Sequence, residues 1–246
     1  MPRIIVNGRA VEPELVLFDV DGTLVDDGDR YSSLGRLRFQ AMREAWGEEV
    51  AREWARLTGV EPQGWRVDPG GPICKATRAE DLALAAGVLY RWGGMPWHQA
   101  KSLAVEAYQL ADRQQEEGYT PRLLEGVGEK LQELSGAGFK LGVATNGETV
   151  LTRRLLEQLG VASLFSVVTG ADKAGRGKPA PDVVVWACRE AGVDPGRCVY
   201  VGDQPTDEAA AASAGVLLFV GVGCAGCAGG GAVELVDSLG SLVVEA

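Results

Sequence analysis

The chain has 246 residues, of which 46% are hydrophobic and 24% are charged, and these values exclude disordered, collagen-like and coiled-coil chains. Its 24 Lys and Arg residues against 34 Asp and Glu residues give a net charge of −10, which repels nucleic acids and anionic membranes. We therefore expect neither a nucleic acid nor a membrane as a partner.

The chain begins with a predicted hairpin and a predicted buried strand. Asn7-Gly8 fits a tight turn between two short runs that contain β-branched residues. The run LVLFDVD at 15–21 is nearly continuous in apolar residues and ends in carboxylates. Such a run is typical of a central parallel strand that is buried on both faces.

The segment 28–118 reads mainly as helices, because leucine and alanine recur there at helical spacing. The stretch 60–75 is rich in Pro and Gly, which predicts a loop between helices. We therefore expect a helical insertion at 28–118, between the two parts of a core domain formed by 1–27 and 119–246.

Strands and helices alternate through the rest of the chain, with predicted strands at 139–145, 164–168, 198–202 and 216–220. This alternation implies right-handed crossovers and an α/β fold, with a parallel sheet covered by helices on both faces. In such sheets the ligand binds at the carboxyl ends of the strands.

Two of the predicted strands end in residues that can carry chemistry. Asp19 and Asp21 follow the first buried strand, and placing two carboxylates together costs energy unless a cation or a proton compensates. Thr145, Asn146 and Gly147 end a second strand. They offer a hydroxyl and backbone N–H groups to an anion at the start of the next helix.

Further polar residues fall on the same predicted edge. Asp203 follows a third strand, Asp207 lies four residues later, and Lys178 precedes another helix. Each of these short motifs alone is common in turns and loops. Their shared position at the carboxyl ends of parallel strands predicts a single site.

Four motifs, in this order, resemble those of the haloacid dehalogenase superfamily of phosphatases. They are DVDGTL (19–24), ATNG (144–147), GKPAPD (177–182) and GDQPTDEAAAASAG (202–215). The match covers nearly the whole chain, and its layout is most similar to that of phosphoglycolate phosphatase-like members. The resemblance implies a Rossmann-like core with an all-helical type 1 cap domain at 28–118. It also implies a magnesium-dependent phosphatase that acts on a small phosphorylated metabolite.

The resemblance further implies how the aspartates share the work. Asp19 is the nucleophile that forms an aspartyl-phosphate, which divides one hard displacement into two easier ones. Asp21 protonates the leaving alcohol and then deprotonates the attacking water. The side chains of Asp19 and Asp203 and the main-chain oxygen of Asp21 are the implied Mg²⁺ ligands, with Asp207 in or next to this ligand set.

The remaining core residues are implied to bind the phosphoryl group. Thr145, with Asn146 and Gly147, would hold its oxygens, and Lys178 would balance the charge on Asp19 and on the phosphate. In the insertion, we hypothesise that the loop 60–75 reads the leaving group. Its residues Arg66 and Lys75, together with Trp65, would meet a second anionic group of the substrate.

Two alternatives remain open on the sequence alone. A sugar phosphomutase of the same superfamily uses the same pair of aspartates but returns the phosphate to a bound sugar. A non-catalytic binding module would keep the fold and lose catalytic residues. The presence of every implied catalytic residue disfavours the module.

The five cysteines are an odd number, which argues against a disulfide framework and for a reducing compartment. Cys224 and Cys227 have no second pair and no neighbouring His, so a zinc site is disfavoured and 223–231 is predicted to be a plain flexible loop. No run approaches the roughly 18 apolar residues of a membrane helix, and we expect a cytoplasmic protein. Monomer and homodimer both remain possible.

Overall fold

The computed structural model describes residues 2–245. The chain divides into two compact units, one made of Met1–Asp26 with Pro121–Ala246 and the other of Asp27–Thr120. We call them the core unit and the inserted unit.

The core unit contains most of the strands. Its strands are β1 (Arg3–Val6), β2 (Arg9–Val11), β3 (Leu15–Phe18), β6 (Lys140–Thr145), β7 (Phe165–Gly170), β8 (Cys198–Gly202), β9 (Leu218–Val222), β10 (Val233–Val236) and β11 (Val243–Glu245). Its α-helices are α6 (Val127–Gly136), α7 (Thr149–Gln158), α8 (Ala171–Ala174), α9 (Asp182–Ala191) and α10 (Pro205–Ala214). The inserted unit contains α1 (Gly28–Trp46), α2 (Glu48–Thr58), β4 (Val60–Glu61), β5 (Arg66–Val67), α3 (Pro72–Lys75), α4 (Arg78–Arg91) and α5 (Trp97–Gly118).

A six-stranded sheet in the order β10-β9-β8-β3-β6-β7 forms the centre of the core unit, and all its neighbouring strands are parallel. Side chains of β3 alternate between two hydrophobic clusters. Val16 and Phe18 pack with residues of α6 and α7, whereas Leu15 and Leu17 pack with residues of α9 and α10. Helices therefore cover both faces of the sheet, which confirms the predicted α/β fold.

The edges of the core unit differ from the prediction. Strands β7 and β9 each end two residues later than the predicted 164–168 and 216–220, and they begin one and two residues later, respectively. Strand β10, which was not predicted, adds to the sheet beside β9; three of its four residues are at least partly exposed, so it lacks an apolar run. The predicted N-terminal hairpin is present as β1 and β2, and β11 pairs with β1.

In the inserted unit, the segment 60–75 is more ordered than the predicted loop. Strands β4 and β5 pair as a short antiparallel hairpin, and the one-turn helix α3 follows. Gly64 (φ +97°) and Trp65 (φ +55°) turn the chain between the two strands. This hairpin interrupts an otherwise helical unit, which was expected to be all helical. The two-residue strands are too short to give an alternating pattern.

A buried polar network crosses the apolar core of the inserted unit. Trp54 Nε1 donates to the Tyr108 hydroxyl (2.8 Å), which donates to Asp81 Oδ1 (2.8 Å). The Arg38 guanidinium pairs with Asp81 and lies 4.1 Å from the Tyr108 ring centroid. All four residues are buried. Because a buried charge is costly unless it is paired, this network fixes α1, α2, α4 and α5 against one another.

Two further expectations concern the cysteines and the membrane. Within the loop 223–231, a disulfide joins Cys224 to Cys227, so the expectation of a plain loop without a disulfide is wrong for this pair. The turn between them brings their Cα atoms to 5.6 Å, a separation that suits a disulfide.

In the part of the chain described, no helix is both long and apolar enough to span a membrane.

The Tyr108→Phe substitution tests the buried network. Removing the hydroxyl leaves the Trp54 N–H and one Asp81 oxygen without this partner, so we expect the free energy of unfolding to fall by about 1–3 kcal/mol. Urea denaturation measures this change. Tyr90→Phe is the matched control, since Tyr90 is 57% exposed, and it should leave the unfolding curve unchanged. Equal unfolding curves for the two variants would contradict this role of Tyr108.

Candidate active site

The site lies where three neighbouring strands of the sheet end. In the register of the sheet, Phe18 of β3 pairs with Val143 of β6 on one side and with Val201 of β8 on the other. The residues that follow each strand therefore meet at one edge. Carboxylate oxygens of three aspartates lie there within 4.8 Å of one another: Asp19, Asp203 and Asp207.

Lys178 holds two of these carboxylates. Its Nζ lies 2.7 Å from Asp19 Oδ1 and 2.5 Å from Asp207 Oδ1, and its side chain is only 4% exposed. Asn146 fixes the backbone of this lysine, because Asn146 Oδ1 accepts from the Lys178 N–H (2.7 Å) and Asn146 Nδ2 donates to the Lys178 carbonyl (3.3 Å). The end of β6 thus positions the ammonium group beside the end of β3.

Asp207 is completely buried, and both of its oxygens are engaged. Its Oδ2 accepts from the Gln204 N–H (3.0 Å), which closes the first turn of α10. Its Oδ1 lies 3.0 Å from the Tyr200 hydroxyl and also contacts Lys178. A Cβ on Gly202 would lie 2.6 Å from the Asp207 side chain, so only glycine fits there. Asp207 therefore lies behind Lys178 and anchors it.

Asp203 faces the turn that follows β3. Its Oδ1 accepts from the Thr23 hydroxyl (3.1 Å), and its Oδ2 accepts from the Gln204 side chain. Gly22, at φ +79°, passes so close that a Cβ there would lie 2.4 Å from Asp203 Oδ2. Both the backbone conformation and the lack of space require glycine at this position.

The other predicted core residues are also accounted for. Thr145 is buried, and its hydroxyl oxygen accepts from the Gly147 N–H (3.2 Å). Asp21 is half-buried in the turn after β3, and its backbone forms an isolated β-bridge with Val25. The Asn146 side chain bonds to the Lys178 backbone, and its predicted contact with substrate stays a prediction.

Arg66 and Lys75 belong to the inserted unit. Arg66 lies on β5 with a 77% exposed side chain, and its Nη2 pairs with Glu61 Oε2 at 2.8 Å. Lys75 is the last residue of α3. Their predicted contact with a substrate stays a prediction.

Burial and crowding of negative charge control the protonation of the site. Burial, together with Asp207 and Asp203, raises the pKa of Asp19 to about 8, although Lys178 acts to lower it. Burial and the nearby Asp207 raise the pKa of Asp203 to about 6. The pKa of Lys178 is raised because its two carboxylate partners outweigh its desolvation. Full ionisation of the three carboxyl groups would therefore give more negative charge than one lysine neutralises, and an added cation would favour that ionised form.

Three residues of the site were not singled out from the sequence: Tyr200, Gln204 and Gly22. Tyr200 lies in an apolar strand, and its sequence context predicts only a residue of the hydrophobic core. Gln204 reads as a loop residue. Gly22 was visible as part of DVDGTL, but its close approach to Asp203 depends on the pairing of β3 with β8.

Comparisons with known proteins agree with this geometry. The family model described as haloacid dehalogenase-like hydrolase matches residues 13–215. A phosphoglycolate phosphatase of Pseudomonas putida is 29% identical over 205 residues, covering 83% of this chain and 67% of that protein. An N-acetylmuramic acid 6-phosphate phosphatase of Pseudomonas aeruginosa is 30% identical over 194 residues, covering 78% of this chain and 74% of that protein.

Among solved structures, a predicted phosphoglycolate phosphatase from Haemophilus somnus superposes with a TM-score of 0.65 at 20% sequence identity. The superposition covers 93% of this chain and 96% of the other. At this identity the likeness supports the fold.

The raised carboxyl pKa values predict how stability depends on pH. Asp19 keeps its proton up to about pH 8 in the folded protein, whereas its ordinary pKa is 3.8. The folded state thus binds more protons between these values, and its free energy of unfolding falls as pH rises, by at most about 1.4 kcal/mol per pH unit for each such group. We expect this fall between about pH 5 and 8 in urea titrations of protein kept with a chelator.

Asp19→Asn should flatten this profile, because the asparagine side chain does not titrate in this range. Asp237→Asn, at an exposed position, should leave the profile as in the wild type. A wild-type profile no steeper than that of Asp19→Asn would contradict the raised pKa.

Proposed function

We propose that this chain releases phosphate from a small metabolite with Mg²⁺, through a phosphoryl group carried on Asp19. The chain belongs to the haloacid dehalogenase-like hydrolase family and is a phosphoric monoester hydrolase. The observation that carries the proposal is the buried Lys178 ammonium, shared by Asp19 and Asp207 beside Asp203. This arrangement provides a nucleophile, its counter-charge and a cation-binding edge at the end of one sheet.

In the first half of the reaction, an oxygen of the Asp19 carboxylate attacks phosphorus. The new O–P bond forms as the P–O bond to the alcohol breaks, and Asp21 gives its proton to the leaving oxygen. In the second half, a water oxygen attacks phosphorus and Asp21 takes the water proton. The bond between Asp19 and phosphorus then breaks, which restores the free carboxylate and releases inorganic phosphate.

Lys178 supports both halves as a fixed positive charge. Its contact with Asp19 Oδ1 (2.7 Å) orients the nucleophile, and its burial excludes water that would screen the charge. Asn146 holds the lysine backbone and therefore acts as a positioning residue.

The phosphoryl oxygens are bound from the β6 side in this proposal. The Thr145 hydroxyl accepts from the Gly147 N–H, so its own hydrogen is directed elsewhere and can be donated to a phosphoryl oxygen. In this proposal, backbone N–H groups between β6 and α7 add to the same anion site, whereas the Thr149 N–H is held by Asp172 Oδ1 (2.8 Å).

The donor set fits Mg²⁺, because hard carboxylate oxygens are clustered and the local charge is negative. Asp19 and Asp203 would hold the ion with the main-chain oxygen of Asp21, since Asp207 is completely buried and its Oδ1 lies against Lys178. When bound, the ion would keep these carboxylates ionised and offset the charge of the phosphate.

The substrate class follows from the relatives as a proposal. Glycolate and muramic acid, named for two of them, both carry a carboxylate. We propose that this chain also acts on a phosphomonoester that bears a second anionic group, with Arg66 and Lys75 as the cations that read it. The cytoplasmic location likewise stays a prediction.

Phosphate release from a panel of phosphomonoesters tests the reaction. The panel contains 2-phosphoglycolate, N-acetylmuramic acid 6-phosphate, hexose phosphates and a nucleotide, each with Mg²⁺ and with chelator. We expect Mg²⁺-dependent release, lowered about 10³-fold or more by Asp19→Asn because the nucleophile is lost. Asp237→Asn is the exposed control and should retain activity.

Two outcomes would contradict the proposal. One is release that survives in Asp19→Asn. The other is conversion of a sugar phosphate, stimulated by a bisphosphorylated sugar and with little phosphate release, which would identify a phosphomutase.

Single Arg66→Ala and Lys75→Ala variants test the leaving-group hypothesis. If these cations contact a second anionic group, each variant should raise KM for carboxylate-bearing substrates about tenfold, as expected for the loss of one charged hydrogen bond. KM should stay constant for phosphates of uncharged alcohols. Arg52→Ala, also in the inserted unit and with a 68% exposed side chain, is the control. An unchanged order of substrates in both variants would contradict the hypothesis.

A further inference from the structure

The loop 223–231, here called the Cys loop, contains a disulfide that the proposed reaction does not use. Cys224 and Cys227 are bonded to each other and are only half-buried, with exposed residues between them. The other three cysteines, Cys74, Cys188 and Cys198, are thiols. A half-buried disulfide between exposed neighbours is within reach of a small thiol.

The Cys loop rests on the first turn of α10. The Ala228 N–H donates to Glu208 Oε2 at 2.8 Å. The Gly226 backbone passes close to Pro205, since a Cβ built on Gly226 would lie 3.5 Å from Pro205 Cγ. Cys227 packs against the buried cluster that includes Tyr200. The loop thus bonds to α10 and packs against the buried cluster to which Ala210 and Ala211 of α10 belong.

The same turn of α10 holds two members of the acidic cluster, the name used here for Asp19, Asp203 and Asp207. The Gln204 side chain donates to Asp203 Oδ2, and the Gln204 N–H donates to Asp207 Oδ2. Pro205 follows directly in the chain, and Glu208 follows Asp207. A shift of this turn would therefore move two of the three clustered carboxylates.

We propose that Cys224 and Cys227 form a reversible dithiol–disulfide pair that sets how tightly the acidic cluster binds Mg²⁺, with the disulfide form binding more tightly. This inference rests on the proposed function for its metal. Five of the nine residues of the Cys loop are glycine, so the reduced loop gains backbone freedom. The disulfide closes a ring over 224–227 that contains one of these glycines, Gly226, and it thereby restrains Gly226 and the adjoining Ala228 beside α10.

The exchange needs a dithiol as the reductant. One of its thiolates attacks one sulfur of the pair, so a mixed disulfide forms and the other cysteine leaves as a thiolate. The second thiol of the reductant then attacks its own half of the mixed disulfide. Two electrons pass to the protein, which gains two thiols after protonation, and the reductant becomes a cyclic disulfide. A small-molecule disulfide reverses both steps.

Isothermal titration with Mg²⁺ alone tests the inference, using protein equilibrated with reduced or with oxidised dithiothreitol. Thiol counts on the denatured protein identify the two forms as having five and three free thiols. We expect the Kd for Mg²⁺ to be at least about fivefold lower in the oxidised form, the lower end of coupling between sites. Hydrogen exchange should be slower at 204–208 in that form.

Variants separate the effect of the disulfide and of the bond between Ala228 and Glu208 from other effects of the redox conditions. The double variant Cys224→Ser with Cys227→Ser should bind Mg²⁺ equally under both conditions, and Cys74→Ser should behave as the wild type. Glu208→Ala, even when oxidised, should bind as the reduced wild type does. Glu208→Gln removes the same charge but keeps an acceptor for the Ala228 N–H, so it should retain the redox difference.

Phosphate release measured in parallel distinguishes this inference from the proposed function. Equal Kd values in the two forms overturn the inference even where phosphate is released. A redox-dependent Kd without phosphate release supports the inference and contradicts the phosphatase proposal. Absence of Mg²⁺ binding in both forms overturns the inference.

Discussion

A single buried ammonium group is the constraint on which the rest of the site depends. Lys178 is nearly inaccessible and contacts Asp19 and Asp207, and a buried charge of either sign is tolerated only when it is paired. Its partners come from the ends of β3 and from α10, and its backbone is fixed by Asn146 at the end of β6. The ion pairs of Lys178 therefore both hold these parts of the fold together and place a positive charge beside Asp19.

Much of this arrangement could be predicted from the sequence. Carboxylates directly after a buried apolar run, with further polar motifs after later strands, indicate the edge of a parallel sheet. The side-chain partners could not be predicted in this way. Tyr200 reads as one more apolar position of β8, and Asn146 reads as a phosphate ligand. The turn from β8 into α10 brings the Tyr200 hydroxyl to Asp207, and the fold brings the Asn146 amide to the backbone of Lys178, 32 residues later in the chain.

The outer parts of the core unit were the least predictable, because their structure depends on distant residues. Strand β10 is recognisable only from its pairing with β9. The turn at Asn7 contacts this strand, because Asn7 Nδ2 donates a hydrogen bond to the Leu235 carbonyl oxygen (3.1 Å). The cysteine count gave no sign of a bond between Cys224 and Cys227, since an odd total says nothing about a local pair.

Chemical trapping of the phosphorylated residue tests the central claim most directly. The enzyme is mixed with substrate and Mg²⁺, quenched in acid, reduced with borohydride and mapped by peptide mass spectrometry. Borohydride converts an aspartyl-phosphate to homoserine and leaves free aspartate unchanged. We predict homoserine at position 19 alone, in amounts that depend on substrate. Homoserine at another aspartate, or none during steady phosphate release, would contradict the assignment of Asp19 as the nucleophile.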